Sequence, residues 1–432
     1  MKYIFVLFIN LLITSCFFGP VKELKYQIED SLDLEKPEVL PRKISDISQT
    51  KQAKITWSAE LNDKPNSYPN FHNNTNTLFV ISTSGNLIAF NQDDGSVKWS
   101  KDFNIKVSSG LTGNNSVVIF ISEDGYIYCV DVNGVLIWKS FFGKVITQPI
   151  VLDNKIIVRR NDNFFSGIDL LEGNSIWNYQ APSFALSINM QGQMIFSDGV
   201  IYSGLPGAKL IALEASTGLL IWETTISRPK GTSDIDRMND ITSQPIIDNA
   251  LIFTVSMNGD IACIDRKTSE ILWTRPFSSY VGITDHLDEV LVVHKTDSIY
   301  SFNKISGKSN WRNPKIKGRS LTKGIVVDDT FIVGDFSGYL HLFNIDSGKI
   351  IGRTLLKSKA SIINIAINET DNTFYALNEN GVIFKLKLID VDIPINSENI
   401  ISNIEEKEED SELTKESKPK KWLDKLKDAI IN

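Results

Sequence analysis

The chain has 432 residues, 42% hydrophobic and 22% charged, the composition of a globular protein able to bury a large core, which excludes disorder of the whole chain. Its 45 basic and 52 acidic residues leave a net charge of −7, which argues against a general nucleic-acid binder, since such a protein needs a basic face to neutralise phosphates.

The N-terminus reads Met1-Lys2, then an apolar run from Tyr3 to Ile13 broken only by Asn10. One lysine before a short apolar stretch is the layout of an export signal, too short for a comfortable membrane span. Ile13-Thr14-Ser15-Cys16 resembles the bacterial lipobox, so residues 1–15 are expected to be removed and Cys16 to carry lipid. Phe17 stands where an aspartate is associated with inner-membrane retention, which points to the periplasmic face of the outer membrane. Residues 16–50, with Pro20, Pro37 and Pro41 among mixed charges, read as a tether.

From residue 51 to 392 one phrase recurs. Gly85-Asn86-Leu87-Ile88-Ala89-Phe90-Asn91 leads through Asp94-Gly95 to Trp99, and Gly125 leads through Asn133-Gly134 to Trp138. Further copies end at Trp177, Trp222, Trp273 and Trp311. With Trp57, seven of the eight tryptophans fall at intervals of 42, 39, 39, 45, 51 and 38 residues, the spacing of propeller blades. Within one unit, 243–247, 251–257, 261–266 and 271–274 are four short strand candidates separated by turns at 248–249, 258–259 and 267–270. The expected fold is therefore all-β, an eight-bladed β-propeller of four-stranded antiparallel blades. Turn glycines and asparagines supply the positive φ of tight hairpins. Each outer-strand tryptophan is expected to cover the neighbouring blade and to find a backbone partner for its indole N–H.

Two units depart from the phrase. The seventh has Gly352 where tryptophan is expected, which predicts a weaker outer contact. The eighth offers three strands, 362–367, 373–377 and 382–388, and no fourth, while Lys54-Ile55-Thr56-Trp57 is a fourth strand with no unit before it. The Trp57 segment is thus expected to complete the eighth blade and close the ring, removing exposed sheet edges. Residues 393–417 read as an acidic disordered linker, with eight acidic and two basic residues between 398 and 416. In 418–432, Trp422, Leu423, Leu426, Ala429 and Ile430 fall on one face of a short amphipathic helix.

Cys129 and Cys263 occupy the same repeat position in apolar strands and read as buried free thiols. His72, His286, His294 and His341 lack metal-site spacing and read as structural. No phosphate loop or nucleophile elbow is present in the sequence, so no catalytic, metal or cofactor residue is assigned.

Ala212-Leu213-Glu214-Ala215-Ser216-Thr217-Gly218-Leu219-Leu220-Ile221-Trp222 is similar to the repeat of pyrroloquinoline-quinone-dependent dehydrogenases, but their adjacent cysteines are missing here. A resemblance covering nearly the whole chain rests on the lipobox, the repeats, Gly231-Thr232-Ser233-Asp234-Ile235-Asp236-Arg237-Met238-Asn239-Asp240, and Val333-Gly334-Asp335-Phe336-Ser337-Gly338-Tyr339-Leu340-His341. Together these resemble the BamB family, lipoproteins of the β-barrel assembly machinery of Gram-negative outer membranes. The resemblance implies a non-catalytic scaffold that binds the periplasmic domains of a BamA-like barrel-inserting subunit, with nascent outer-membrane proteins as a further partner. It places the contacts on the insertion in the longest tryptophan gap (Asp234, Asp236, Arg237, Asp240) and on the loop Ser183 to Asn189 (Leu186, Ile188, Asn189). At Asn189 the family carries a basic residue, so this contact is altered here. A quinone-dependent dehydrogenase and a sugar- or peptidoglycan-binding propeller are the competing readings.

Overall fold

The structure is a computed structural model that describes residues 25, 40–61, 63–65, 71–74, 76–145, 147–182, 187, 192–229, 233–357, 359–368 and 371–391. The export signal, Cys16, the acidic stretch and the expected C-terminal helix lie outside these residues. The chain divides into Met1–Ile389, which holds the ring, and Asp390–Asn432, of which residues 390 and 391 are described.

The first strand, β1 (Lys51–Glu60), is followed by seven consecutive four-stranded sheets: β2–β5 (71–102), β6–β9 (107–141), β10–β13 (150–180), β14–β17 (195–225), β18–β21 (246–276), β22–β25 (283–313) and β26–β29 (325–355). The eighth sheet is built from β30 (Ile362–Asn368), β31 (Thr373–Asn378) and β32 (Val382–Asp390), with β1 beside β32. The chain is an eight-bladed β-propeller closed by its N-terminal strand. At the closure Thr56 Oγ1 donates to the Lys385 carbonyl at 3.0 Å. The first strands of successive blades approach one another, among them β18 with β22, β22 with β26 and β26 with β30, so they lie nearest the ring axis.

Residue size explains why the blades stack. The middle strands are covered on both faces by neighbouring blades and read as nearly continuous apolar runs, such as Val117–Ser122, buried throughout. In the fourth strands of the first six blades the tryptophan faces a small residue across the ladder: Ala89 with Trp99, Cys129 with Trp138, Gly167 with Trp177, Ala212 with Trp222, Cys263 with Trp273 and Ser301 with Trp311. The register shifts directly after each of these pairs. Both cysteines are free and buried, and burial pushes their thiols up to about 12. Their recurrence reflects the need for a small side chain beneath an indole.

Every one of the seven tryptophans donates its indole N–H to a carbonyl of the following blade: Trp57 to Gln92, Trp99 to Val132, Trp138 to Leu170, Trp177 to Ala215, Trp222 to Arg266, Trp273 to Lys304 and Trp311 to Ile345, at 2.6–3.2 Å. The ring lies on the next blade's turn glycine: a Cβ on Gly348 would come 2.3 Å from the Trp311 ring. Trp222 meets the exception, a turn in which Ser269 holds the left-handed conformation (φ 62°).

Gly352 corrects the expectation of a weaker seventh outer contact. The chain entering the ring crosses this strand: Thr50 N–H donates to the Ile351 carbonyl at 2.8 Å and Ala53 N–H to Thr354 Oγ1 at 3.0 Å. A Cβ at 352 would sit 2.0 Å from the Lys51 carbonyl oxygen. The seventh blade therefore trades an indole for hydrogen bonds donated by the backbone of the entering chain to the Ile351 carbonyl and the Thr354 hydroxyl, and Leu342 takes the small-residue position opposite Gly352.

Candidate functional site

The longest interruption of the repeat runs between Leu220–Thr225 (β17) and Ile246–Asp248 (β18). It carries a single-turn helix, α1 (Asp234–Arg237), on which Asp234 and Arg237 are exposed. Behind the helix the loop is fastened to the blades. Buried Asn239 donates through Nδ2 to the Ser227 carbonyl at 3.2 Å, and Asn258 Nδ2 donates to the Met238 carbonyl at 3.2 Å. Ile241 N–H donates to the Leu205 carbonyl at 3.2 Å, and its side chain occupies the space that a Cβ on Gly204 would need, 2.1 Å away.

Asp240 departs from the exposed role expected of it: it is 1% exposed. Its carboxylate accepts from Ser187 Oγ at 2.7 Å and from the Gly207 N–H at 3.1 Å, and its carbonyl accepts from Met257 N–H at 2.9 Å. The physical reason is nearby: Arg159 is 1% exposed and needs a compensating negative field. Arg159 donates to Ser203 Oγ (3.0 Å), the Gly204 carbonyl (2.8 Å) and Asn163 Oδ1 (2.6 Å), and its guanidinium lies 5.4 Å from the Phe165 ring centre. Burial lowers its pKa to about 9, and the Asp240 carboxylate acts in the opposite direction. Asp240 thus ties down the loop and joins it, through Ser187, to the second loop implicated by the sequence. Leu186, Ile188 and Asn189 lie outside the described residues, and for Asp236 the backbone alone is described.

The phrase Val333 to His341 builds a second polar cluster, whose role its sequence does not reveal. Asp335 Oδ2 accepts from Arg319 Nε at 2.6 Å and pairs with His341 Nε2 at 2.8 Å, while Arg353 Nε donates to His341 Nδ1 at 3.1 Å. An imidazole that donates through Nε2 and accepts at Nδ1 is neutral. Consistently, burial first, then the Arg353 and Arg319 cations, hold His341 below the usual imidazole value, against the pull of Asp335. Burial would raise Asp335, but hydrogen bonds from His341, the Tyr339 N–H and Arg319 prevail and bring it to about 2. The two arginines spend a remaining N–H on the entering chain: Arg319 donates to the Arg42 carbonyl at 3.1 Å and Arg353 to the Ser45 carbonyl at 2.7 Å. The cluster is a clamp on the segment that leads into β1. The partners lie hundreds of residues apart in sequence, and the only local signal was charge within an apolar repeat. His294 has a structural place as well, with Nδ1 2.8 Å from Thr296 Oγ1.

The profile of the family described as outer membrane protein assembly factor BamB matches residues 44–141 and 83–313. The chain belongs to the BamB family. Among relatives, the BamB of Burkholderia pseudomallei is 26% identical over 311 residues, 71% of this chain and 81% of that protein. The BamB of Vibrio cholerae is 27% identical over 347 residues, 78% and 89% of the two chains. The crystal structure of BamB from Moraxella catarrhalis superposes with a TM-score of 0.70 at 21% identity, covering 78% of this chain and all of that one. A quinohemoprotein alcohol dehydrogenase from Comamonas testosteroni shares the propeller at a TM-score of 0.63 and 12% identity. Fold alone does not separate an assembly factor from an enzyme. The family match does: BamB proteins are outer-membrane assembly factors, a non-catalytic role.

Proposed function

We propose that the chain is a lipid-anchored scaffold of the β-barrel assembly complex, held by Cys16 at the periplasmic face of the outer membrane. It binds the periplasmic domains of a BamA-like barrel-inserting subunit through the loop between β17 and β18 and the neighbouring loop of Leu186, Ile188 and Asn189. The observation that carries this reading is the exposed turn Asp234–Arg237 on a rigid base, with Asn239 and Asp240 buried beneath it. A pinned loop presents charge without the ordering cost of a mobile one. Asp234, Asp236 and Arg237 are the docking charges, and Asp240 acts through loop geometry. Reversal at Arg237 and Asp234 together is expected to lower co-purification of the barrel-inserting subunit about tenfold or more with an unchanged melting temperature. Unaltered recovery would remove the loop from the interface. Cys16→Ser is expected to abolish palmitate labelling and release the protein from the membrane fraction.

Contact with nascent barrel strands has its own support. The residue before each tryptophan is apolar and exposed in four successive blades, Ile137, Ile176, Ile221 and Leu272, on outermost strands. The corresponding residues elsewhere are Thr56, Lys98 and Asn310. An apolar row along strand edges suits extended amphipathic segments. A photo-crosslinker at 137 or 221, compared with one at 98, is expected to capture unfolded barrel substrates.

A further inference from the structure

The outer side of blade four departs from its neighbours. The other six indoles lie on a turn glycine of the following blade, where an added Cβ would come 2.3–2.9 Å from the ring. Trp222 meets the turn of Ser269, whose Cβ rules out so close an approach. Beside Trp222 a recess of about 590 Å³ opens between blades four and five, with Val200, Tyr202, Ile221, Arg266 and Lys267 in its walls. A second recess, of about 420 Å³, lies between blades three and four and is acidic: Asp153, Asp198 and Glu214 outnumber Lys155 among its lining residues. Val200 and Ile221 border both, and Ile221 is 51% exposed. Arg266 braces the ridge between them, its Nη1 pairing with Asp198 Oδ2 at 2.7 Å and its Nε donating to the Tyr202 hydroxyl at 2.8 Å. An apolar ridge thus stands between a negative and a positive recess.

Topology places this ridge on the ring. In a four-stranded antiparallel blade the turns joining the first to the second strand and the third to the fourth lie at one end, while the remaining turn and the link to the next blade lie at the other. The turn residues of both recesses, 152–155, 196–199, 214–216, 249–250 and 266–267, belong to the first kind. The loop between β17 and β18 is a link of the second kind. The recesses therefore lie on the opposite face of the ring from that loop, so occupying one leaves the other accessible. The fourth strand of blade four, which carries Ile221, is also the outer edge of its sheet.

We propose that the Ile221 ridge and its two recesses select extended polypeptide segments in which a large apolar side chain stands between a basic and an acidic one. The proposal rests on the nascent-strand contact described above and names the pattern that contact prefers. The apolar side chain packs on Ile221 and Trp222, the basic one enters the recess of Asp153, Asp198 and Glu214, and the acidic one meets Arg266 and Lys267. Side chains two residues apart share one face of an extended chain, so a pattern of basic, apolar and acidic residues at alternate positions presents all three to the ridge. Opposite charge on the two recesses also fixes the direction in which such a segment crosses the blade.

The test uses the whole mature chain and three capped, fluorescently labelled peptides with the cores Lys-Ser-Phe-Ser-Glu, Lys-Ser-Phe-Ser-Lys and Glu-Ser-Phe-Ser-Glu, followed by anisotropy at low salt. The wild type is expected to bind the first about tenfold more tightly than either of the others. Lys267→Glu is expected to move the preference to the doubly basic peptide and Asp153→Lys to the doubly acidic one, while Ile221→Ser weakens all three. Asp153 and Lys267 are exposed turn residues, and unchanged melting temperatures verify that the variants fold. Equal affinity for the three peptides, no binding of any, or a preference that neither charge variant moves overturns the proposal. Photo-crosslinking from position 137, outside both recesses, separates this result from the nascent-strand contact itself. Capture of unfolded barrel substrates at 137 alongside charge-blind peptide binding overturns the pattern alone, and no capture from either 137 or 221 overturns both.

Discussion

Leu342 and Gly352 invert the size pairing used by the first six blades, and the inversion shows what the pairing is for. In the first six blades, where an indole covers the next blade, the residue across the ladder is Ala, Cys, Gly or Ser; in the seventh, where backbone does the covering, the large residue moves to the opposite strand. Trp177→Ala should therefore cost about 3–5 kcal/mol, the usual loss for truncating a buried aromatic, read from urea unfolding. Gly352→Trp, which restores the repeat phrase, should destabilise as well, because the Lys51 carbonyl fills the site. Cys129→Ala and Cys263→Ala should melt close to wild type. Acid dependence also belongs to single residues. His341 has a folded pKa below its unfolded value near 6.5, so the unfolded chain binds the proton first and stability falls as pH drops below that value. Asp335, depressed from 3.8 to about 2, contributes stability that is present above 3.8 and lost as pH falls towards 2. Melting temperatures between pH 7.5 and 5 should decline for wild type and flatten in His341→Gln.

At the scale of elements, the segment entering β1 is held by two mechanisms: backbone hydrogen bonds on the strand Ile350–Leu355 (β29) and the arginine clamp on Arg42 and Ser45. The clamp is built on Asp335, so it requires the seventh blade. The double variant Arg319→Ala, Arg353→Ala is expected to keep its far-ultraviolet circular dichroism while trypsin cleaves at Arg42 or Lys43 about tenfold faster, reporting local opening instead of global unfolding. Unchanged cleavage would mean that the backbone hydrogen bonds suffice. The loop between β17 and β18 has the same plan, an exposed turn on a buried polar anchor.

For the whole molecule, closure is what turns seven self-contained hairpin sheets and a three-stranded remainder into a ring. Trp57 lies on β1 in the eighth blade and docks on Gln92 in the first, so one strand completes a sheet and a blade contact together. Removing residues 41–60 should leave an open edge on β32, with a lower melting temperature, broadened unfolding and concentration-dependent aggregation. The sequence by itself determined the blade count, the strand order within blades, the closing role of Trp57 and the buried state of both cysteines. These follow from local periodicity and from residue size repeated at a fixed interval, which a linear pattern records directly. Only the tertiary structure decided why Gly352 is a glycine, that Asp240 serves Arg159 from beneath the loop, and that Arg319 and Arg353 grip the entering chain. Each depends on groups far apart in sequence that folding brings together, and the charge of a side chain does not reveal whether its partner will be water, a neighbour or another molecule.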